Sequence, residues 1–288
     1  MVQQQRRGGT ALVLAGASLW GLIGLFNRTL MAAGLTPESI VLVRNLGGLI
    51  LLGLVLGLWK REVFRIQPGH LIYFFGTGIV SVLLFTWCYF SCQQECSLAV
   101  AAILLYTSPA FVVLLSALLW RDRLTGKKLL ALGLTFFGCI CVTGVYSGDM
   151  TITIRGFLLG LGAGFFYALY SIFGRYALAH YQPYTVTFYT FVFAGIGSLI
   201  FLRPAQLAVL SSVPIALVAL GLAVVCTVLP YLFYTAGLAR MDSGKAAIIA
   251  SVEPVVAALV GIIVFHESMS PATGLGVVSI LAAVLLLH

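Results

Sequence analysis

Glu253 is the residue in this chain whose position is hardest to explain without a function. It stands in AAIIASVEPVVAALVGIIVFHESMS, Ala246 to Ser270, near the midpoint of an apolar run from Gly244 to Phe265 that is long enough to cross a bilayer. A carboxylate at that depth costs roughly 3 kcal/mol unless it is paired or hydrated. Two kinds of chemistry suit it: holding a cationic or amine group, or exchanging a proton with the two sides of the membrane. A structural ion pair, for example with Arg44, is the alternative. The adjacent Pro254 removes a backbone donor and loosens the helix. Hydrocarbon tolerates that only where protein or a water-lined cavity satisfies the freed carbonyl. Both residues point to an internal polar site.

Arg44 is the other charge inside an apolar run, about 10 Å from its outer end by helix rise. Snorkelling, a substrate carboxylate and Glu253 are its three candidate partners. Gly16, Trp20, Gly24 and Arg28 share one stripe of the first run, with Asn27 beside it; Gly156, Gly160, Gly164, Tyr167, Tyr170 and Gly174 do much the same in the sixth. Small residues let helices approach, and aromatic faces attract organic cations. Trp20, Tyr167 and Tyr170, joined by Trp87, Tyr89, Tyr106 and Tyr234, are therefore candidate ligand contacts, together with Asn27, Arg44 and Glu253. Trp and Tyr also gather at membrane interfaces, so about half of the rings are expected to be interface residues. Trp20 and Tyr167, deeper in their runs, are the better candidates. Pro109, Pro230 and Pro254 lie inside apolar runs as flexure points or static kinks.

Other chemistries lack their residues. His70, His180, His266 and His288 all fall at the ends of apolar runs, and no Ser/His/Asp, paired-carboxylate or metal-ligand constellation occurs within them, so an enzyme is disfavoured. Cys88, Cys92 and Cys96 form a four-residue series that suits packing better than a soft metal, for no His is near. No nucleotide-binding motif is present, and neither cofactor nor metal is expected.

These residues are carried by an unusually apolar chain. Of 288 residues 61% are apolar and 8% charged, which excludes a soluble globular domain and implies an all-α integral membrane protein. Ten spans are expected: Thr10 to Ala33, Pro37 to Trp59, His70 to Ser91, Ser97 to Leu119, Lys128 to Ser147, Arg155 to Ala179, Pro183 to Leu202, Val213 to Leu238, Gly244 to Phe265 and Pro271 to Leu287. Of the 16 Lys and Arg, Arg28, Arg155 and Arg203 fall on one face and Arg44 within a span; all the others lie on the opposite face. The positive-inside rule makes that face cytoplasmic and puts both termini there. The net charge of +8 is thus topology information, and no nucleic acid partner is implied. Arg6 and Arg7 precede a span too long for a cleavable signal sequence.

The chain also repeats. An offset of 145 lays Pro109 on Pro254, Ser108 on Glu253 and Asp122 on Glu267; an offset of 146 lays Gly16 on Gly162, Trp20 on Phe166 and Pro37 on Pro183. The halves are 1–150 and 151–288. Five spans in each give the second copy the opposite orientation, an inverted repeat of the kind that supports alternating access. LLYTSPAFVVLLSALLWRDRLT and IIASVEPVVAALVGIIVFHESMS resemble the fourth and ninth helices of EamA-type transporters of the drug/metabolite transporter superfamily. That resemblance covers the whole chain. It implies ten helices in two inverted halves, a cavity lined by helices 1, 3, 4, 6, 8 and 9, and amino acids, other metabolites or drugs as substrates. Asp122 stands where the family usually has Glu.

The expected function is secondary transport of a small polar metabolite, an amino acid or organic amine, across the cytoplasmic membrane, with Glu253 as a proton-coupling residue. Export of quaternary ammonium or hydrophobic cations is one alternative and a non-transporting sensor or scaffold another. The partners are the substrate and the lipid bilayer; a coupling ion and a homodimer stay open.

Overall fold

The computed structural model describes the backbone of residues 2–145 and 152–287, and side chains from residue 8 onward within them. The side chains of Arg6 and Arg7, His288, the expected end of the fifth span at Ser147 and the expected division at 150/151 lie outside the described residues.

Among the described residues nine helices are long and apolar enough to cross a membrane: α1 (Gly8–Ala32), α2 (Pro37–Trp59), α3 (Pro68–Gln93), α4 (Leu98–Trp120), α5 (Gly126–Thr143), α6 (Ile154–Leu178), α7 (Pro183–Phe201), α8 (Val213–Leu238) and α9 (Ser243–Phe265). A tenth apolar helix, α10 (Pro271–Leu287), has 17 residues. Their starts follow from local chemistry. Thr36, Ser97, Thr125, Thr153 and Asp242 each accept a backbone N–H of the first turn, an N-cap that satisfies one otherwise unpaired donor. Pro37 and Pro183 occupy first-turn positions, where no N–H is needed.

We call the face at which α1 begins the near face and the opposite one the far face. Loop contacts alternate between them as a chain crossing back and forth requires. Thr36 and Ser39 hydroxyls reach Gln206 on the far face, and Arg155 pairs with Glu95 there. On the near face the Lys60 ammonium sits over the Tyr184 ring. Glycines set the closest crossings. A Cβ on Gly16 of α1 would stand 2.9 Å from the Pro230 carbonyl of α8, and one on Gly276 of α10 would stand 2.6 Å from the Gly138 carbonyl of α5. Each would push its helix off its neighbour.

Three spans are interrupted at mid-depth. α4 breaks at Tyr106–Thr107 and α9 at Ser251–Val252, and in each the second residue of the helical segment beyond the break is a proline. Pro109 and Pro254 lack the N–H that would bond four residues back, so the turn closes with tighter three-residue bonds: Thr107 N–H to Leu104 O at 3.2 Å, Val252 N–H to Ile249 O at 3.2 Å. α1 is interrupted at Leu22, where Gly21 lies so near α9 that a Cβ would stand 2.8 Å from the Glu253 carbonyl. α3 and α8 instead carry π-helical turns, Gly76–Leu83 and Val224–Val228.

Candidate functional site

The break in α9 makes Glu253 the first residue of a new helical segment in the middle of the bundle. There the unpaired N–H groups and the dipole of the segment favour a carboxylate, which explains why an acid is tolerated at this depth. Its carboxyl faces the Tyr167 hydroxyl of α6 and feels the Arg44 guanidinium of α2. Its charge in turn reaches Tyr89, Tyr106 and Tyr231. Glu253, Tyr89, Tyr106 and Tyr167 are all half-buried, and of the four Tyr167 lines the cavity described next.

Beside this group is a cavity of about 30 Å³. That is room for a water molecule or two and too little for an amino acid. Trp20, Tyr167, Tyr170, Tyr231 and Tyr234 wall it, with Ser108 at the α4 break opposite. Trp20 and Tyr231 meet edge to face with centroids 5.2 Å apart, and Tyr231 meets Tyr170 in the same way at 5.2 Å. The hydroxyls are tied back into the wall. Tyr170 pairs with Thr235 and Tyr234 with Ser171, both at 2.7 Å, so ring surface rather than hydroxyl groups dominates the cavity lining.

Arg44 has a local reason for its place. Pro230 cannot donate to the carbonyl four residues earlier, that of Cys226, and the π turn of α8 opens around it. The Arg44 guanidinium donates to that freed oxygen at 3.5 Å. Among the described residues no ion pair within 4.0 Å joins Arg44 to Glu253; the two interact only at longer range.

The candidates from sequence thus fall into groups. Trp20, Tyr167, Tyr170 and Tyr234 line the cavity; Glu253, Tyr89, Tyr106 and Arg44 do not, and Glu253 interacts electrostatically with the other three. Trp87 stands apart, 52% exposed. Asn27 buries its Oδ1 with no hydrogen-bond partner, one residue before Arg28. Gly16, Gly160 and Gly164 serve helix crossings instead of the cavity. Ser81, Phe85 and Ser108 line the cavity although residue type does not single them out as ligands; the alignment of Ser108 with Glu253 is the available signal.

Two further constellations stand at opposite ends of the bundle. On the far face Arg28 of α1 donates to Glu267, just beyond α9, at 2.7 Å, and lies 3.9 Å from the centroid of Phe265. On the near face Arg175 of α6 donates twice to Asp122, just beyond α4, and lies 4.2 Å from the centroid of Trp120. The residue preceding each acid, His266 or Arg121, is left-handed at φ 54°. A second pair adjoins the near-face one: Lys128 donates to both oxygens of Asp242 at 3.1 Å. Burial pushes the Asp242 carboxyl up, but the Lys245 N–H and the Lys128 ammonium outweigh it and hold the group below the usual carboxylate range.

Residues 7–144 and 154–288 each match the EamA-like transporter family. An uncharacterized transporter of Archaeoglobus fulgidus is 30% identical over 97% of this chain and 96% of its own length. The threonine/homoserine exporter RhtA of Escherichia coli is 29% identical over 94% of this chain and 88% of its own length. One crystal structure superposes with a TM-score of 0.78 over 96% of this chain and 95% of the other at 17% identity, a likeness of fold alone.

Proposed function

The chain belongs to the EamA-like transporter family, and from that membership we propose that it moves a small polar metabolite, an amino acid or organic amine, across the cytoplasmic membrane by alternating access. In this reading ten spans run as two inverted five-helix halves, the near face is cytoplasmic, and both termini lie there. Lys60, Arg61, Arg65, Arg121, Arg123, Lys127 and Lys128 on near-face segments support that orientation.

The observation that carries the proposal is the placement of Glu253. It heads a broken half-helix at mid-depth beside an aromatic cavity, with Arg44 across from it. Half-helix ends aimed at a midplane site are how transporters of inverted-repeat design hold charged groups. An amino acid offers an amine for Glu253 and the surrounding rings, and a carboxylate for Arg44. The likeness to the threonine/homoserine exporter RhtA agrees with that substrate class. The closure of both ends by Arg–acid–aromatic groups supports alternation, because an occluded state must be able to open at either.

Glu253 is also the proposed coupling group. Flux into liposomes under an imposed pH gradient tests it: Glu253→Gln abolishes dependence on the gradient while the protein still folds, and an unchanged dependence overturns the coupling role. Export of hydrophobic or quaternary ammonium cations is a second reading, favoured by the ring faces of Trp20, Tyr170 and Tyr231. Thermal stabilisation by zwitterionic amino acids alone supports the first reading, and stabilisation by organic cations alone the second.

A further inference from the structure

At the near face, away from the central site, an open cleft of about 310 Å³ is lined by Arg65, Ile66, Gln67, His70, His180 and Tyr181. It is about ten times the size of the central cavity. We infer that this cleft is a binding site for an anionic phosphate group, carried either by a lipid headgroup or by a phosphorylated solute.

One arginine and two histidines line it, and no acidic side chain does. Tyr181 accepts the Gln67 N–H at 2.9 Å and its hydroxyl pairs with His70 Nδ1, also at 2.9 Å, so Nε2 of His70 lies outside that bond. His180 stacks on His70 with centroids 4.4 Å apart, which fixes both imidazoles side by side. Arg65 is exposed at the rim and supplies a full positive charge with a planar set of donors suited to phosphate oxygens. The cleft also sits at the start of α3, whose first turn follows Gln67; Gly69 there has nothing within 4 Å of where a Cβ would stand. Each feature alone is ordinary; together they surround one open volume of the right size.

The cleft is continuous with the near-face closure. His180 stacks on Tyr73 and Tyr73 on Tyr176, and Tyr176 meets at a tilt Trp120, the ring beneath Arg175. A bound phosphate therefore sits at the end of an aromatic column that reaches the Arg175–Asp122 pair.

The test is the thermal unfolding midpoint of the full chain with inorganic phosphate against chloride at matched ionic strength, and in phosphatidylcholine vesicles with and without phosphatidylglycerol. A saturable rise with phosphate, with phosphatidylglycerol, or with both is expected. Phosphate alone identifies a soluble ligand, and phosphatidylglycerol alone a lipid headgroup. Arg65→Gln and His180→Gln, both at exposed positions, should fold as the parent does and lose the rise. Arg61→Gln, whose guanidinium bonds the Gly57 carbonyl outside the cleft, should keep it. No rise in either arm overturns the inference, as does equal loss in Arg65→Gln and Arg61→Gln.

Discussion

The two closures of the bundle use the same parts in different settings. At the far face Arg28 and Glu267 have 58% and 51% of their side-chain surface exposed and share a single hydrogen bond. At the near face Arg175 and Asp122 have 30% and 16% exposed, share two, and stand beside the Lys128–Asp242 pair. The offset of 145 places Ser97 and Thr273 where Asp242 and Lys128 would be at the far face, so the second pair has no counterpart there. Solvent screens the far-face charges, whereas the near-face charges are partly desolvated and depend on one another. The near-face group is thus the more buried and the more extensively paired of the two; if both act as gates under the proposed mechanism, the far face is the easier to open.

Breaking the near-face pair should have the largest effect. Asp122→Asn leaves the Arg175 guanidinium half-buried without its counter-charge, at a cost of about 1.5–3 kcal/mol. If the pair is a gate, part of that loss appears as opening, a shift of roughly ten- to hundredfold in the equilibrium. A cysteine at Ser108 in the cavity should then react faster with an impermeant maleimide added at the near face than in the parent, and the charge swap Asp122→Arg with Arg175→Asp should restore protection. A lower unfolding midpoint with unchanged labelling would make the pair a structural brace and not a gate.

The sequence pattern located one half of each closure. The offset that aligned Pro109 with Pro254 also aligned Asp122 with Glu267, because α4 and α9 are superposable without insertions. Their arginine partners were not evident, since Arg28 and Arg175 are 147 apart, which matches neither the 145 nor the 146 offset, and they stood out only as part of a helix stripe and as one of the positive residues counted on one face. Glu253 stood out in the sequence because a mid-span acid has few structural uses, and the structure places it at the break of α9. The Arg44 contact was not, because it depends on which carbonyl Pro230 frees and on α2 passing beside it. The π turns in α3 and α8 were equally hidden. They arise from fitting long helices to neighbours, and only Pro230, four residues after Cys226, left a trace of the second. The aromatic candidates divided by depth: Trp20 and Tyr167 reach the cavity while Trp87 is half exposed, a distinction that rotation of each helix decides and residue type does not.

The second near-face pair should show itself through pH. The Asp242 carboxyl is held below its unfolded value, so its contribution to stability is fully present above the ordinary carboxylate range and disappears as pH falls through its folded pKa. The unfolding midpoint should decline below about pH 4. Asp242→Asn keeps an N-cap for the Lys245 N–H but removes the charge facing Lys128, so the variant should start lower at neutral pH and show a shallower acid decline. Parallel acid profiles in parent and variant would assign the decline to other carboxylates.

The smallest effect belongs to the far face, and it sharpens the comparison most. Glu267→Gln removes an ion pair whose partners are both more than half exposed, a loss of about 0.2–1 kcal/mol. Raising the salt concentration should remove even that difference, since exposed charges are screened within about 8 Å at physiological ionic strength. Arg28 keeps its place over Phe265 in the variant, so the ring contact persists when the acid is gone. Maleimide labelling of the cavity from the far face should therefore rise only slightly, and less than Asp122→Asn raises it from the near face. A larger rise at the far face would reverse the assignment: the exposed pair would then be the tighter gate, and the protein would rest closed to the outside.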